Sequence, residues 1–129
     1  MKAVLDHVGI AVKDLAAALA FYRDALGLDI EAPEEVPSQR VRAHFLPVGE
    51  AKLELLEATA PDSAIAKYVE TRGPGLHHIT LRVDDINAAV AQLKARGVEF
   101  DKPPEKQPWG EFAIFKDPDG NQFVLSSSG

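Results

Sequence analysis

The sequence predicts an α+β protein made of two tandem βαβββ units whose strands join in a mixed sheet around a cleft. Three observations carry this expectation: the chain repeats itself, its strand-like stretches alternate with period two, and both copies share helix start and stop signals. LDHVGIAVKDLAAALAFYRDALGLDI (5–30) lies over LHHITLRVDDINAAVAQLKARGVEFD (76–101), pairing Leu5 with Leu76, His7 with His78, Val12 with Val83 and Asp14 with Asp85. Gly27 meets Gly97 after a one-residue gap. FLPVGEAKLELL (45–56) lies over FKDPDGNQFVLS (115–126), with Phe45 on Phe115, Leu53 on Phe123 and Leu55 on Leu125. At 129 residues the chain has the size of one domain, read as a first unit over 1–58, a connection over 59–74 and a second unit over 75–129.

The elements follow in order. Residues 4–12 alternate as a strand, with Val8, Ile10 and Val12 on one face and His7, Gly9 and Ala11 on the other. Asp14 caps a helix over 15–26, where Leu15, Leu19, Tyr22 and Leu26 recur at helical spacing and Gly27 provides the stop. Strands are predicted near 28–32, 40–47 and 51–57, the last two joined at Gly49. Pro61 and Gly73-Pro74-Gly75 bracket the connection, which holds a short helix over 62–71. The second copy gives a strand at 76–83, then a helix at 85–96 capped by Asp85 and ended by Gly97. Its remaining strands lie at 98–101, 111–116 and 121–126, with DPDGN (117–121) as a turn that accounts for Asp117 and Asp119. Glu34 and Glu35 read as solvated loop charges, and Trp109 as a packing residue or a cover for the cleft mouth.

Parity sorts the strand residues into two faces. Val8, Ile10, Val12, Leu53, Leu55, Ile79, Leu81, Val83, Phe123 and Leu125 form an apolar set that packs beneath the helices. His7, Lys52, Glu54, His78, Thr80, Arg82, Gln122 and Val124 form a mixed set. The repeat makes His7 and His78 symmetric mates, whereas His77 has the other parity and reads as structural. Two neutral imidazoles and one carboxylate suit a divalent ion, so His7, Glu54 and His78 are candidate ligands for Co, Mn, Zn, Ni or Fe. Three protein ligands leave positions open for substrate oxygens.

Composition narrows the partners. A formal net charge of −6 argues against nucleic acid. The absence of cysteine removes disulfides and thiolate metal sites and fits a reducing, cytoplasmic setting. No apolar run approaches the roughly 20 residues of a membrane span, and the first residues lack a signal-peptide cleavage pattern.

LDHVGIAVKDL, FYRDALGL, GLHHITLRVDDI and DPDGNQFVL resemble the vicinal-oxygen-chelate (glyoxalase/bleomycin-resistance) superfamily across essentially the whole chain. Within it, the stretch from VPSQRVRAHFLPVGEAKLELL through GLHHITLRVDDI is most similar to methylmalonyl-CoA epimerases. The resemblance implies a U-shaped glyoxalase-like sheet, a homodimer, an acyl-CoA among the small-molecule substrates, and metal ligands at His7, Glu54 and His78. It also implies a fourth carboxylate ligand where this chain has Val124, and a glutamate base where it has Ser38. Epimerisation needs an enediolate stabilised beside the metal and proton transfer at the α-carbon. Glu54 and His44 are therefore the candidate catalytic residues, His44 being the titratable replacement for the missing base. Ser38, Gln39, Arg40, Arg42 and Gln122 are the candidate substrate-binding residues, the arginines suiting a carboxylate or phosphate.

The leading expectation is a metal-dependent epimerase or isomerase acting on a small oxygen-chelating substrate, methylmalonyl-CoA or a relative. The alternatives are a glyoxalase I-type lyase, an extradiol-type dioxygenase with a two-histidine, one-carboxylate iron site, and a metal-free protein that sequesters a ligand, like the bleomycin-resistance proteins.

Overall fold

The computed structural model describes residues 1–128. It is a mixed α+β structure with strand orders β2-β3-β4-β1 and β5-β8-β7-β6. The strands are β1 (Val4–Ala11), β2 (Glu34–Val36), β3 (Val41–Val48), β4 (Ala51–Ala58), β5 (Gly75–Arg82), β6 (Glu105–Gln107), β7 (Gly110–Lys116) and β8 (Gln122–Ser127). The helices are α1 (Leu15–Leu19, running on as π-helix over Ala20–Ala25), α2 (Ala64–Arg72) and α3 (Ile86–Ala95). The chain divides into two compact units, His7–His77 and a second that joins Met1–Asp6 to the chain from His78 onward. No helix among the described residues is long and apolar enough to cross a membrane.

In His7–His77, β1 pairs parallel with β4, β3 pairs antiparallel with β4, and β2 pairs antiparallel with β3. Asp14 caps α1 as expected, its Oδ1 accepting from the Ala16 and Ala17 amides. The Leu15 amide donates to Glu57 Oε2 at 2.9 Å, which ties the helix start to β4. The predicted single α-helix is instead part π: the Leu26 amide donates to the Phe21 carbonyl, an i to i−5 bond. The repeat explains this. Asp14 to Gly27 is one residue longer than Asp85 to Gly97, and a π-turn absorbs one inserted residue without shifting either end. Both glycines take the left-handed conformation, with φ of 75° and 95°.

Two apolar clusters cover opposite faces of this sheet. Leu15, Leu46 and Leu55 pack with Ile10, Val12, Leu19 and Leu53 beneath α1. Ala11, Val41, Ala43, Leu56 and Ile65 pack beneath α2. The second cluster lies on the face that carries Glu54, so this face is apolar at the α2 end and polar only beyond it. Ser63 caps α2 by accepting from the Ala66 amide.

In the other unit, β5 pairs parallel with β8, and β7 pairs antiparallel with β8 and β6. Asp85 caps α3 through the Ala88 amide. Val83, Ile86, Ala89, Val90, Ala113 and Leu125 form the core under α3, with Leu81, Phe100 and Phe115 around them. Asp117 accepts from the Asp119 and Asn121 amides and from Asn121 Nδ2, so DPDGN is a self-bonded turn. The Asn121 side chain first, then these amides, hold the Asp117 carboxyl below its usual range.

The strands predicted at 28–32 and 98–101 do not form. Burial still alternates there, with Leu28, Ile30, Val98 and Phe100 half-buried between exposed Asp29 and Glu99. That alternation records one-sided packing of irregular chain: Leu28 joins the α1 cluster and Phe100 meets Phe115 edge to face. The second strand of each copy comes later, at Glu34–Val36 and Glu105–Gln107. Glu34 and Glu35 are thus exposed, as expected, but on a strand.

Candidate functional site

Glu54 sits on β4 opposite Phe45 of β3 and Gly9 of β1. Its side chain lies on the same face as Leu56, two residues on, which the α2 cluster covers. His7 on β1 lies across from Lys52, which puts both on the Glu54 face. His7 Nε2 is 3.3 Å from Glu54 Oε1, and both side chains are half-buried. Phe45 meets the His7 ring edge to face at a centroid distance of 5.7 Å, fixing the plane of the imidazole. Lys52 Nζ lies 5.6 Å from the Phe45 ring centroid and pairs with Glu31 at 2.9 Å. Phe45 and Lys52 were assigned no role from the sequence, although the Gly49-Glu50 hairpin already fixes their register against Glu54 and His7.

His78 lies on β5 in register with Gln122 of β8, and Thr80 with Val124. These four residues share one face, as parity predicted. His7 and Glu54 in one unit and His78 in the other are the candidate ligands for a metal ion. Divalent ions hold nitrogen and oxygen ligands at about 2.0–2.2 Å, which spaces adjacent ligand atoms by about 3.0–3.4 Å. The 3.3 Å between His7 and Glu54 falls in that window, and two imidazoles with one carboxylate are a suitable donor set. Val124 occupies the position where the family resemblance implies a fourth carboxylate, and it offers no donor.

The remaining candidates divide. His44 pairs with Leu55, not with Glu54, and so points to the α1 face beside Leu46. It is 9% exposed and its Nδ1 has no hydrogen-bond partner. The catalytic role expected of His44 is therefore corrected: neighbouring residues on a strand face opposite ways, and the sheet stands between His44 and Glu54. Arg42 shares the His44 parity and is bound to Glu35 through Nε and NH2. Ser38, Gln39 and Arg40 are exposed in the turn between β2 and β3. Arg40 has a left-handed φ of 54°, and its guanidinium pairs with Asp62 at 2.8 Å. Both arginines are paired with exposed carboxylates of the chain itself. Gln122 alone of that group shares a face with a candidate metal ligand. His77 stacks edge to face on Tyr68 of α2, in keeping with its structural reading. Trp109 is exposed and stacked on Phe112.

Burial pushes the His44 pKa below its ordinary 6.5, Arg42 and Arg23 push it further, and Glu57 opposes them. Because the folded value is depressed, the neutral form's stability is fully present above pH 6.5 and is lost as pH falls through the folded value. His44→Leu is expected to remove that acid-side loss and to raise stability by about 1 kcal/mol, since an orphaned buried acceptor disappears. Thermal melts of parent and variant between pH 7.5 and pH 5 check this (~0.5-unit steps suffice).

The profile of the Glyoxalase/Bleomycin resistance protein/Dioxygenase superfamily matches residues 4–125. The chain is 41% identical over 95 residues to the mitochondrial methylmalonyl-CoA epimerase of Homo sapiens, covering 73% of this chain and 54% of that protein. It is 43% identical over 94 residues to the ethylmalonyl-CoA/methylmalonyl-CoA epimerase of Cereibacter sphaeroides, covering 72% and 70%. The chain spans about half the length of the mammalian relatives it matches. Among solved structures, a hypothetical protein from Bacillus halodurans superposes with a TM-score of 0.92 at 33% identity, covering 100% of this chain and 96% of that one. A methylmalonyl-CoA epimerase in complex with methylmalonyl-CoA and NH4+ gives 0.84 at 30% identity, with the same coverage. The chain belongs to the glyoxalase/bleomycin resistance protein/dioxygenase superfamily.

Proposed function

We propose that this chain is a metal-dependent epimerase of malonyl-type acyl-CoA thioesters, with methylmalonyl-CoA as the first substrate to test. The observation that carries the reading is the His7–Glu54 pair at metal-ligand spacing, with His78 as the third candidate ligand, in a chain whose relatives include methylmalonyl-CoA epimerases. A bound divalent ion supplies Lewis-acid stabilisation of the negative charge that develops on the substrate's oxygens. His7, Glu54 and His78 would hold that ion, and Phe45 keeps the His7 ring in its plane. Gln122 presents a neutral amide beside His78, able to donate to a carboxylate or thioester oxygen. One carboxylate among three ligands leaves a divalent site with net positive charge, which favours an anionic substrate.

The glutamates implied at Val124 and Ser38 are absent, and His44 lies on the far face of the sheet. These departures favour a second reading, a ligand-sequestering protein without proton-transfer activity. Incubation of the metal-loaded chain with methylmalonyl-CoA in deuterated water separates the two. Deuterium entering the α-position at a catalysed rate is the expected result. Tight binding without exchange leaves the sequestering reading in its place.

A further inference from the structure

We infer that Ile114 and Val124 form the wall that receives the alkyl substituent on the substrate's α-carbon, so that the chain binds ethyl-substituted malonyl thioesters more tightly than methyl-substituted ones. The inference rests on the acyl-CoA reading above and concerns which members of that class fit best. Register supplies the geometry. His78 pairs with Gln122, Thr80 with Val124, and Val124 with Ile114, so all five residues lie on one face of β5, β8 and β7. With strands about 4.8 Å apart and a rise of about 3.3 Å per residue, a diagonal neighbour on the adjacent parallel strand stands about 8 Å away, which is the relation of Val124 to His78. Ile114 lies one strand further out and is 41% exposed, while Ala113 beside it is buried in the α3 core.

The face thus changes character along a short path, from an imidazole and an amide at one end to two branched aliphatic side chains at the other. A malonyl thioester has the same division. Its carboxylate and thioester oxygens need polar partners, and the alkyl group on the carbon between them does not. With the oxygens directed to the His78 and Gln122 end, the alkyl group lies along Val124 and reaches toward Ile114. A carboxylate at position 124 would put charge against that alkyl group; valine covers it with hydrocarbon. Each further methylene buried there is worth about 0.8 kcal/mol, which is about fourfold in affinity.

The test is equilibrium binding of malonyl-, methylmalonyl- and ethylmalonyl-CoA by calorimetry to the metal-loaded parent, Ile114→Ala and Val124→Thr. Ile114→Ala shortens an exposed side chain, and Val124→Thr keeps the shape while adding a hydroxyl, so both are expected to fold. The parent should gain about fourfold in affinity with each carbon, and the gain from methyl to ethyl should shrink toward none in the variants. A flat series in the parent, or a gain that survives both substitutions, overturns the inference and leaves the epimerase reading standing. Failure of all three thioesters to bind overturns both.

Discussion

Glu54→Ala is expected to weaken divalent-metal binding by more than about a hundredfold and to return α-proton exchange to the solvent background. The basis is the donor set. Glu54 is the anion of the group, and its removal leaves two neutral imidazoles facing a dication. Loss of residues that merely support a ligand costs about 10–100-fold in affinity, so loss of a ligand itself should exceed that. His7 would also lose the carboxylate 3.3 Å from its Nε2. Glu54→Gln is the informative companion, because it keeps an oxygen of similar shape without the charge. It should fall between parent and Glu54→Ala in calorimetric titration with Co²⁺ or Zn²⁺. Equal affinity in all three proteins would remove Glu54 from the ligand set.

Leu55→Ala is expected to cost about 2–5 kcal/mol of stability, the range for a fully buried leucine truncated in a packed core. Leu55 is 0% exposed, as is its cluster mate Leu46, and both pack under α1 with Leu15. The change removes apolar volume on the face opposite Glu54, one residue away in the chain. Backbone pairing of β4 with both β1 and β3 holds Glu54 in register independently of the Leu55 side chain. The variant should therefore melt markedly lower while keeping its metal stoichiometry at low temperature. Urea titration measures the first effect and metal analysis the second. A stability change below about 1 kcal/mol would mean that the α1 cluster contributes far less than its burial implies.

Much of this arrangement is legible in the residues because a repeat and a period-two pattern are independent constraints that agree. His7 and His78 match in the repeat, and parity places Glu54 with one and Gln122 with the other. The caps at Asp14 and Asp85 were equally readable, since a short acidic side chain before an apolar helical stripe has one favourable use. Parity counted from Ser38 puts His44 on the Ser38 face, but that count crosses a turn in which Arg40 adopts a left-handed φ. Counting from the other end of β3 gives the right face. The two-residue turn Gly49-Glu50 sets Val48 against Ala51, and His44 then falls on Leu55. The strands Glu34–Val36 and Glu105–Gln107 carry no apolar alternation, and prolines stand near their ends. They are edge strands specified by their neighbours' free hydrogen-bonding groups, a tertiary cause with no local signature. The π-turn lay in the one-residue gap of the repeat, where an insertion had to be absorbed somewhere.

If His7, Glu54 and His78 hold a divalent ion, the metal content per chain depends on them. The chain would be purified metal-free and reconstituted with Co²⁺, Mn²⁺, Zn²⁺ or Fe²⁺, beside His78→Ala. About one ion per chain in the parent, lost in the variant, is the predicted result. A parent that retains no stoichiometric metal, or a variant that retains all of it, would rule out this site.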